Sequence, residues 1–266
     1  MLSNRWHEAK AWLKHFVQAK GPHGVHSPFV YHLITRVLRN KEKSPIYSSI
    51  ERERKRLQKI KASIEVQDFG AGSRLQNGSR RVVGEIARTA LQPRKHAHAL
   101  SLLARHANAT SILELGTSLG ITTAHLQAAL PNATVHTIEG SASIAAIASE
   151  VWTNVSLHTI QHTTGSFDTV LADVLARMKS VDFVIIDGDH RGEACLAYLN
   201  QIYPYTAENT VIVIDDIYWS PSMTSAWEQC VSDTRFTLTL DFFDFGVLYR
   251  TNGRVKEHFR LARPWL

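Results

Sequence analysis

Four carboxylates stand in two short runs of the 266-residue chain. Asp187 and Asp189 follow the apolar run FVII, and Asp215–Asp216 follows VIVI. If the two runs are neighbouring parallel strands, their ends lie ~5 Å apart and the acids converge. Clustered carboxylates repel unless protons or a cation neutralise them. An all-oxygen set suits a hard ion, Mg²⁺ first, then Mn²⁺ or Ca²⁺. The plainer reading is that these acids cap helices and line a polar cleft. Upstream, Glu114-Leu115-Gly116-Thr117-Ser118-Leu119-Gly120 is a glycine turn of the form G-x-x-x-G. It lacks the third glycine of a dinucleotide-binding turn, which disfavours a dinucleotide. Glu139 follows Gly116 by 23 residues. An acid there suits a ribose, because one carboxylate can accept from both hydroxyls.

These residues need elements to hold them. Seven short apolar or β-branched runs occur, at 111–116, 134–139, 155–160, 181–187, 210–215, 236–240 and 246–250. Those up to Asp215 are separated by stretches long enough for helical crossovers. Runs such as DFVIID and TVIVID indicate strands buried on both faces. The expected fold is α/β: a Rossmann-like, doubly wound, seven-stranded mixed sheet ending in an antiparallel hairpin. A helical N-terminal extension precedes it. In such sheets, ligands bind beyond the carboxyl ends of the strands, which is where these acids and glycines fall.

The segments ILELGTSLGITT, VHTIEG, DFVIIDGDH and VIVIDDIYW resemble the class I S-adenosylmethionine-dependent methyltransferases. The likeness is strongest to the catechol and caffeoyl-CoA O-methyltransferase-like branch. The chain is also similar to uncharacterised bacterial methyltransferases that carry GVHSPFVYHLI and EVQDFGAGSR. The motifs span about 91–250. The resemblance implies that Glu114, Gly116, Thr117, Ser118 and Gly120 lie against the cofactor, with Glu139 on its ribose. It places Gly165, Ser166 and Phe167 at the adenine and Asp187 at both cofactor and metal. Ser166 serves equally well as a helix N-cap. Asp187, Asp215 and Asp216 correspond to acids that hold a divalent ion in the metal-dependent members, although many of those have Asn where Asp216 stands. In catechol-type enzymes a lysine serves as base where this chain has His190. D-G-D members use the acid corresponding to Asp189, so both residues are candidates for the base. Alternatively, His190 bonds Asp215 or Asp216 from behind. Tyr218 and Trp219 could wall an acceptor pocket or simply pack. The implied activity is O-methylation of a small phenolic, catechol-like or sugar-like molecule. A tRNA methyltransferase acting on a hydroxylated base is the second reading, and a non-catalytic cofactor-binding protein the third.

The charge is unevenly spread. Residues 1–90 hold 18 Lys/Arg against 7 Asp/Glu, whereas 91–266 hold 12 against 17. The division expected is therefore a basic helical extension over 1–90 and a catalytic domain over 91–266. The extension includes a glycine-rich loop near 68–81, expected to be mobile. Its Arg74, with Arg80 and Arg81, suits an anionic substrate group or a lid. The excess of positive charge could track RNA phosphates, but the run ERERKRLQKIK has no interleaved aromatics to stack bases. Ser27-Pro28 fits a helix start. No run approaches the ~18–20 residues of a membrane span. Two cysteines, Cys195 and Cys230, make no disulfide scaffold, so a reducing cytoplasm is expected. A homodimer is compatible with the sequence.

Overall fold

The computed structural model describes residues 2–41, 44–67, 79–251, 253 and 255–265. Arg74 and most of the glycine-rich loop lie outside them. In chain order the elements are α1 (Leu2–Gln18), α2 (Pro28–His32), α3 (Pro45–Leu57), β1 (Ser63–Glu65), β2 (Arg80–Val82), α4 (Val83–Thr89) and α5 (Arg94–His106). There follow β3 (Ser111–Leu115), α6 (Ile121–Ala129), β4 (Thr134–Glu139), α7 (Ala142–Asn154), β5 (Gln161–Thr164), α8 (Phe167–Met178) and β6 (Val181–Ile186). The chain then forms α9 (Gly192–Ile202), β7 (Thr206–Asp215), α10 (Pro221–Ser232), β8 (Leu238–Asp241), β9 (Phe245–Tyr249) and β10 (Glu257–Arg260).

The central sheet runs β10-β8-β9-β7-β6-β3-β4-β5. Strands β3 to β7 are mutually parallel, while β9 is antiparallel to both β7 and β8. The chain winds outward from β3 through β4 to β5, then returns to β6 and winds the other way. The crevice between the ends of β3 and β6 is thus the switch point, where open α/β sheets place their ligands. Alternation along the buried strands explains the layers. Phe183, Ile185, Val211 and Val213 pack into one core with Leu100 and Leu103 of α5. Val184, Ile186, Ile212 and Ile214 face the opposite core, against Leu171, Leu199 and Trp227 of α8, α9 and α10. Period-two side chains buried on both sides are what a doubly covered sheet requires.

Three differences from the sequence expectation have a common cause. The sheet has eight strands, because β10 (EHFR) pairs parallel to β8. The run at 155–160 is not a strand; the edge strand β5 is the polar QHTT at 161–164, paired to β4. Residues 1–90 contain β1 and β2, a short antiparallel pair of mostly polar residues. Edge and isolated strands need not bury a face, so apolar patterning misses them. Ser27 does precede a helix, but its side chain makes no cap bond.

Described segments of the first 90 residues pack into the body. Val30, Leu33, Ile34 and Leu38 join the α5 core, and Tyr47, Ile50 and Leu57 of α3 pack with Leu119 and with Ile121 of α6. Two cations of the basic run are engaged by the body, while Arg52, Lys55, Lys59 and Lys61 stay exposed. Buried Arg54 pairs with Glu51 and donates to the Gln92 carbonyl, while Arg56 pairs with Glu53 and Glu150. These two charges hold α3 to the body.

Candidate active site

The crevice is built by close backbone approach. Gly116 has φ +100°, and a Cβ there would sit 1.8 Å from the carbonyl oxygen of Asp187. Only glycine permits this contact, which the bond from Asp187 N–H to Leu115 C=O (2.8 Å) fastens. Ser118, Asp189, His190 and Asp216 also have positive φ, at 48°, 67°, 33° and 53°. Non-glycine residues rarely adopt this conformation, and four of the nine that do so among the described residues lie at these strand ends.

These ends open into a cavity of about 670 Å³. One wall carries Gly116, Ser118, Glu139, Gly165, Ser166, Phe167 and Asp187. Glu139 accepts the Ser118 N–H (2.9 Å) on one carboxylate oxygen and the Ser141 N–H (3.0 Å) on the other. Phe167 opens α8 and lies against Gly188, where a Cβ would approach its ring to 2.8 Å. Ser166 stands at the N-cap position of α8 without a side-chain cap bond; its hydroxyl meets that of Thr169 at 3.0 Å.

Three residues expected at the cofactor lie beneath this wall instead. Glu114 is buried and accepts the hydroxyls of Thr123 (2.5 Å) and Thr137 (2.7 Å). Burial pushes its carboxyl up to about 8 despite those bonds. The Thr117 hydroxyl meets that of Thr137 at 2.6 Å. Gly120, at φ +77°, faces Ala148 and the Trp152 indole. They shape the turn from inside rather than line the cavity.

The opposite wall carries Arg5, Gln92, His96, His190, Asp215, Asp216, Trp219 and Asp244. Gln92 Nε2 donates to Asp187 (3.1 Å) and to Asp215 (2.5 Å). Burial, then the charges of Asp187 and Asp216, push the Asp215 carboxyl well above its ordinary range. Asp216 turns to His190, its Oδ2 3.8 Å from Nε2. Among the described residues no three His, Cys, Asp or Glu side chains group as a metal site. Asp215 thus stands beside both Asp187 and Asp216, with the Gln92 amide bridging the first pair and an imidazole facing the third acid.

Asp189 is held on every side. Arg191 grips it through Nε (2.5 Å) and Nη2 (2.7 Å), and the Tyr198 hydroxyl donates to it at 2.8 Å. His190 is less restrained, its ring 5.6 Å from that of Trp219. Tyr218 does not line the cavity; its hydroxyl donates to buried Asp241 at 2.6 Å and its ring stacks on Phe243. Sequence reading missed Gln92, His96, Arg5 and Asp244. They join the site only through tertiary folding, and no local pattern marks them.

An open sheet with this strand order and a glycine turn, ribose-type acid and polar residues at its switch point defines a class I methyltransferase fold. Residues 113–217 match the family model for a methyltransferase domain. Solved structures agree in fold. One is an S-adenosylhomocysteine-bound methyltransferase from Podospora anserina, with 14% identity, TM-score 0.60 and coverage of 86% of this chain and 97% of that one. A second is the O-methyltransferase of tomaymycin synthesis from Streptomyces achromogenes, in complex with S-adenosylmethionine, with 16%, 0.57, 84% and 95% respectively. A third is an O-methyltransferase from Bacillus cereus with S-adenosylhomocysteine, with 17%, 0.54, 79% and 92%. No curated protein matches the chain.

Proposed function

We propose that the protein transfers a methyl group from S-adenosylmethionine to a hydroxyl of a small molecule. The observation that carries this is the meeting of the Gly116 turn and Glu139 with His190 and Trp219 across one cavity. When bound, the cofactor supplies an electrophilic methyl group on a sulfonium. Glu139 accepts its ribose hydroxyls, Phe167 lends an apolar face to its adenine, and Gly116 leaves room for its amino-acid part. Trp219 and His96 wall the acceptor. His190 takes the acceptor's hydroxyl proton at Nδ1, and Asp216 beside Nε2 stabilises the imidazolium. The acceptor oxygen forms its bond to the methyl carbon as the carbon–sulfur bond breaks. Asp189, fixed by Arg191 and Tyr198, acts as the anchor of this loop rather than as the base.

No step above passes through a divalent ion. The test is transfer of labelled methyl from S-adenosylmethionine to a panel of phenolic, catechol-like and sugar-like acceptors. A methylated acceptor is expected, with His190→Ala lowering kcat about 10²–10⁴-fold while calorimetry shows unchanged cofactor binding. Failure to bind the cofactor sinks the reading. Addition of EDTA decides the ion: retained activity agrees with the amide-bridged acids, whereas a loss restored by Mg²⁺ shows that they regroup around metal.

A further inference from the structure

Helix α1 docks by one face only. His7 bonds the Thr224 hydroxyl at 2.7 Å, Ala11 packs against the α9–α10 core, and His15 pairs with Asp241 at 3.2 Å. Those contacts fix the roll of the helix, and the opposite face is turned to solvent. At 3.6 residues per turn that face presents Trp6, Ala9, Leu13, Phe16 and Val17. Trp6, Leu13, Phe16 and Val17 are 69%, 59%, 67% and 75% exposed. Trp12, stacked on Phe16 at 5.3 Å, widens it. Of seven large hydrophobic side chains exposed among the described residues, five lie on this helix. The patch is thus concentrated rather than scattered, which marks an interaction surface.

The charges beside the stripe select its occupant. Exposed Lys10 and Lys14 run along one border and Arg5 along the other. The only acid of α1, Glu8, is half-buried on the body side, near Asp244. Pairing two copies of the helix would bring these cations together with no α1 acid on that face to answer them. A surface of anionic headgroups over acyl chains answers both features, since aromatics favour the interface and the cations meet the headgroups. We propose that α1 docks the protein in the plane of an anionic lipid bilayer, its Trp6–Val17 stripe in the headgroup–acyl boundary. Arg5 also lines the cavity, so docking holds that end of the cavity beside the lipid. The inference does not depend on the methyl-transfer reading.

The test is flotation of the full chain with vesicles of phosphatidylcholine alone, or mixed with phosphatidylglycerol at about two to one. Expected is at least about tenfold stronger binding to the anionic vesicles, weakened by salt. A Leu13→Glu/Val17→Glu variant should lose binding to them by about tenfold or more. A Lys10→Glu/Lys14→Glu variant, which keeps the apolar stripe, should lose the preference for anionic lipid. Both should keep the parent's melting temperature, since none of these side chains packs into the core. No flotation, or equal binding to neutral and anionic vesicles, overturns the proposal. So does a dimer in sedimentation equilibrium that the Leu13→Glu/Val17→Glu variant dissolves, which would assign the stripe to a second copy.

Discussion

Glu114 shows how one atom group can carry a pH dependence for the whole domain. Its carboxyl is raised by burial from 4.5 to about 8, so the folded state holds its proton where the unfolded chain releases it. A raised acid makes the folded state bind more protons, and stability therefore falls as pH rises between these values. Glu114→Gln removes the titration while the Thr123 and Thr137 hydroxyls turn to suit the amide. From pH 5 to 8 the melting temperature should fall less steeply for the variant than for the parent. A parallel fall in both would assign the slope to other groups. At this scale the sequence was readable in type but not in aim. Glu139 and Glu114 both stand at strand ends, yet one faces the cavity and the other faces α6. Strand alternation distinguishes two faces of a sheet, but not which neighbour a terminal side chain meets.

The β3–β6 crevice depends on two backbones passing closer than any side chain allows. Gly116→Ala places a Cβ against the Asp187 carbonyl and imposes a positive φ on alanine. The expected cost is at least about 3 kcal/mol of stability, read from urea midpoints, together with lost cofactor binding by calorimetry. Unchanged binding would mean that the two turns are free to separate. The buried elements were legible because their residues must be apolar on both faces: FVII and VIVI have few alternatives. The edge elements were not. β5 and β10 are polar and are specified by the strand beside them, through backbone bonds that every sequence can make. Gln92 was invisible for a related reason. It lies just before α5, 95 residues from one acid and 123 from the other.

Across the whole molecule, Asp241 joins parts far apart in the chain. It is fully buried, pairs with His15 of α1, and accepts from the Tyr218 hydroxyl, Arg260 Nε (3.0 Å) and the Phe243 N–H (2.9 Å). Burial opposes its charge, but the bonds from His15 and Tyr218 outweigh it and lower the carboxyl to about 2. Asp241→Asn should cost about 3–5 kcal/mol, because the Arg260 guanidinium loses its counter-charge and the buried bonds to His15 and Tyr218 lose their carboxylate. Hydrogen exchange should quicken in α1 before the central strands; protection lost evenly would mean that α1 has no separate anchor. The net charge of +6 looks different in this light: several of its cations are internal struts, and those of α1 border an apolar stripe. The His15–Asp241 pair spans 226 residues, which gives it a meaning in time as well as space. At 5–20 residues per second, α1 leaves the ribosome roughly ten to forty-five seconds before its anchor is made. Throughout that interval the nascent chain presents its most aromatic helix with neither face covered, the stage at which a chaperone would engage it.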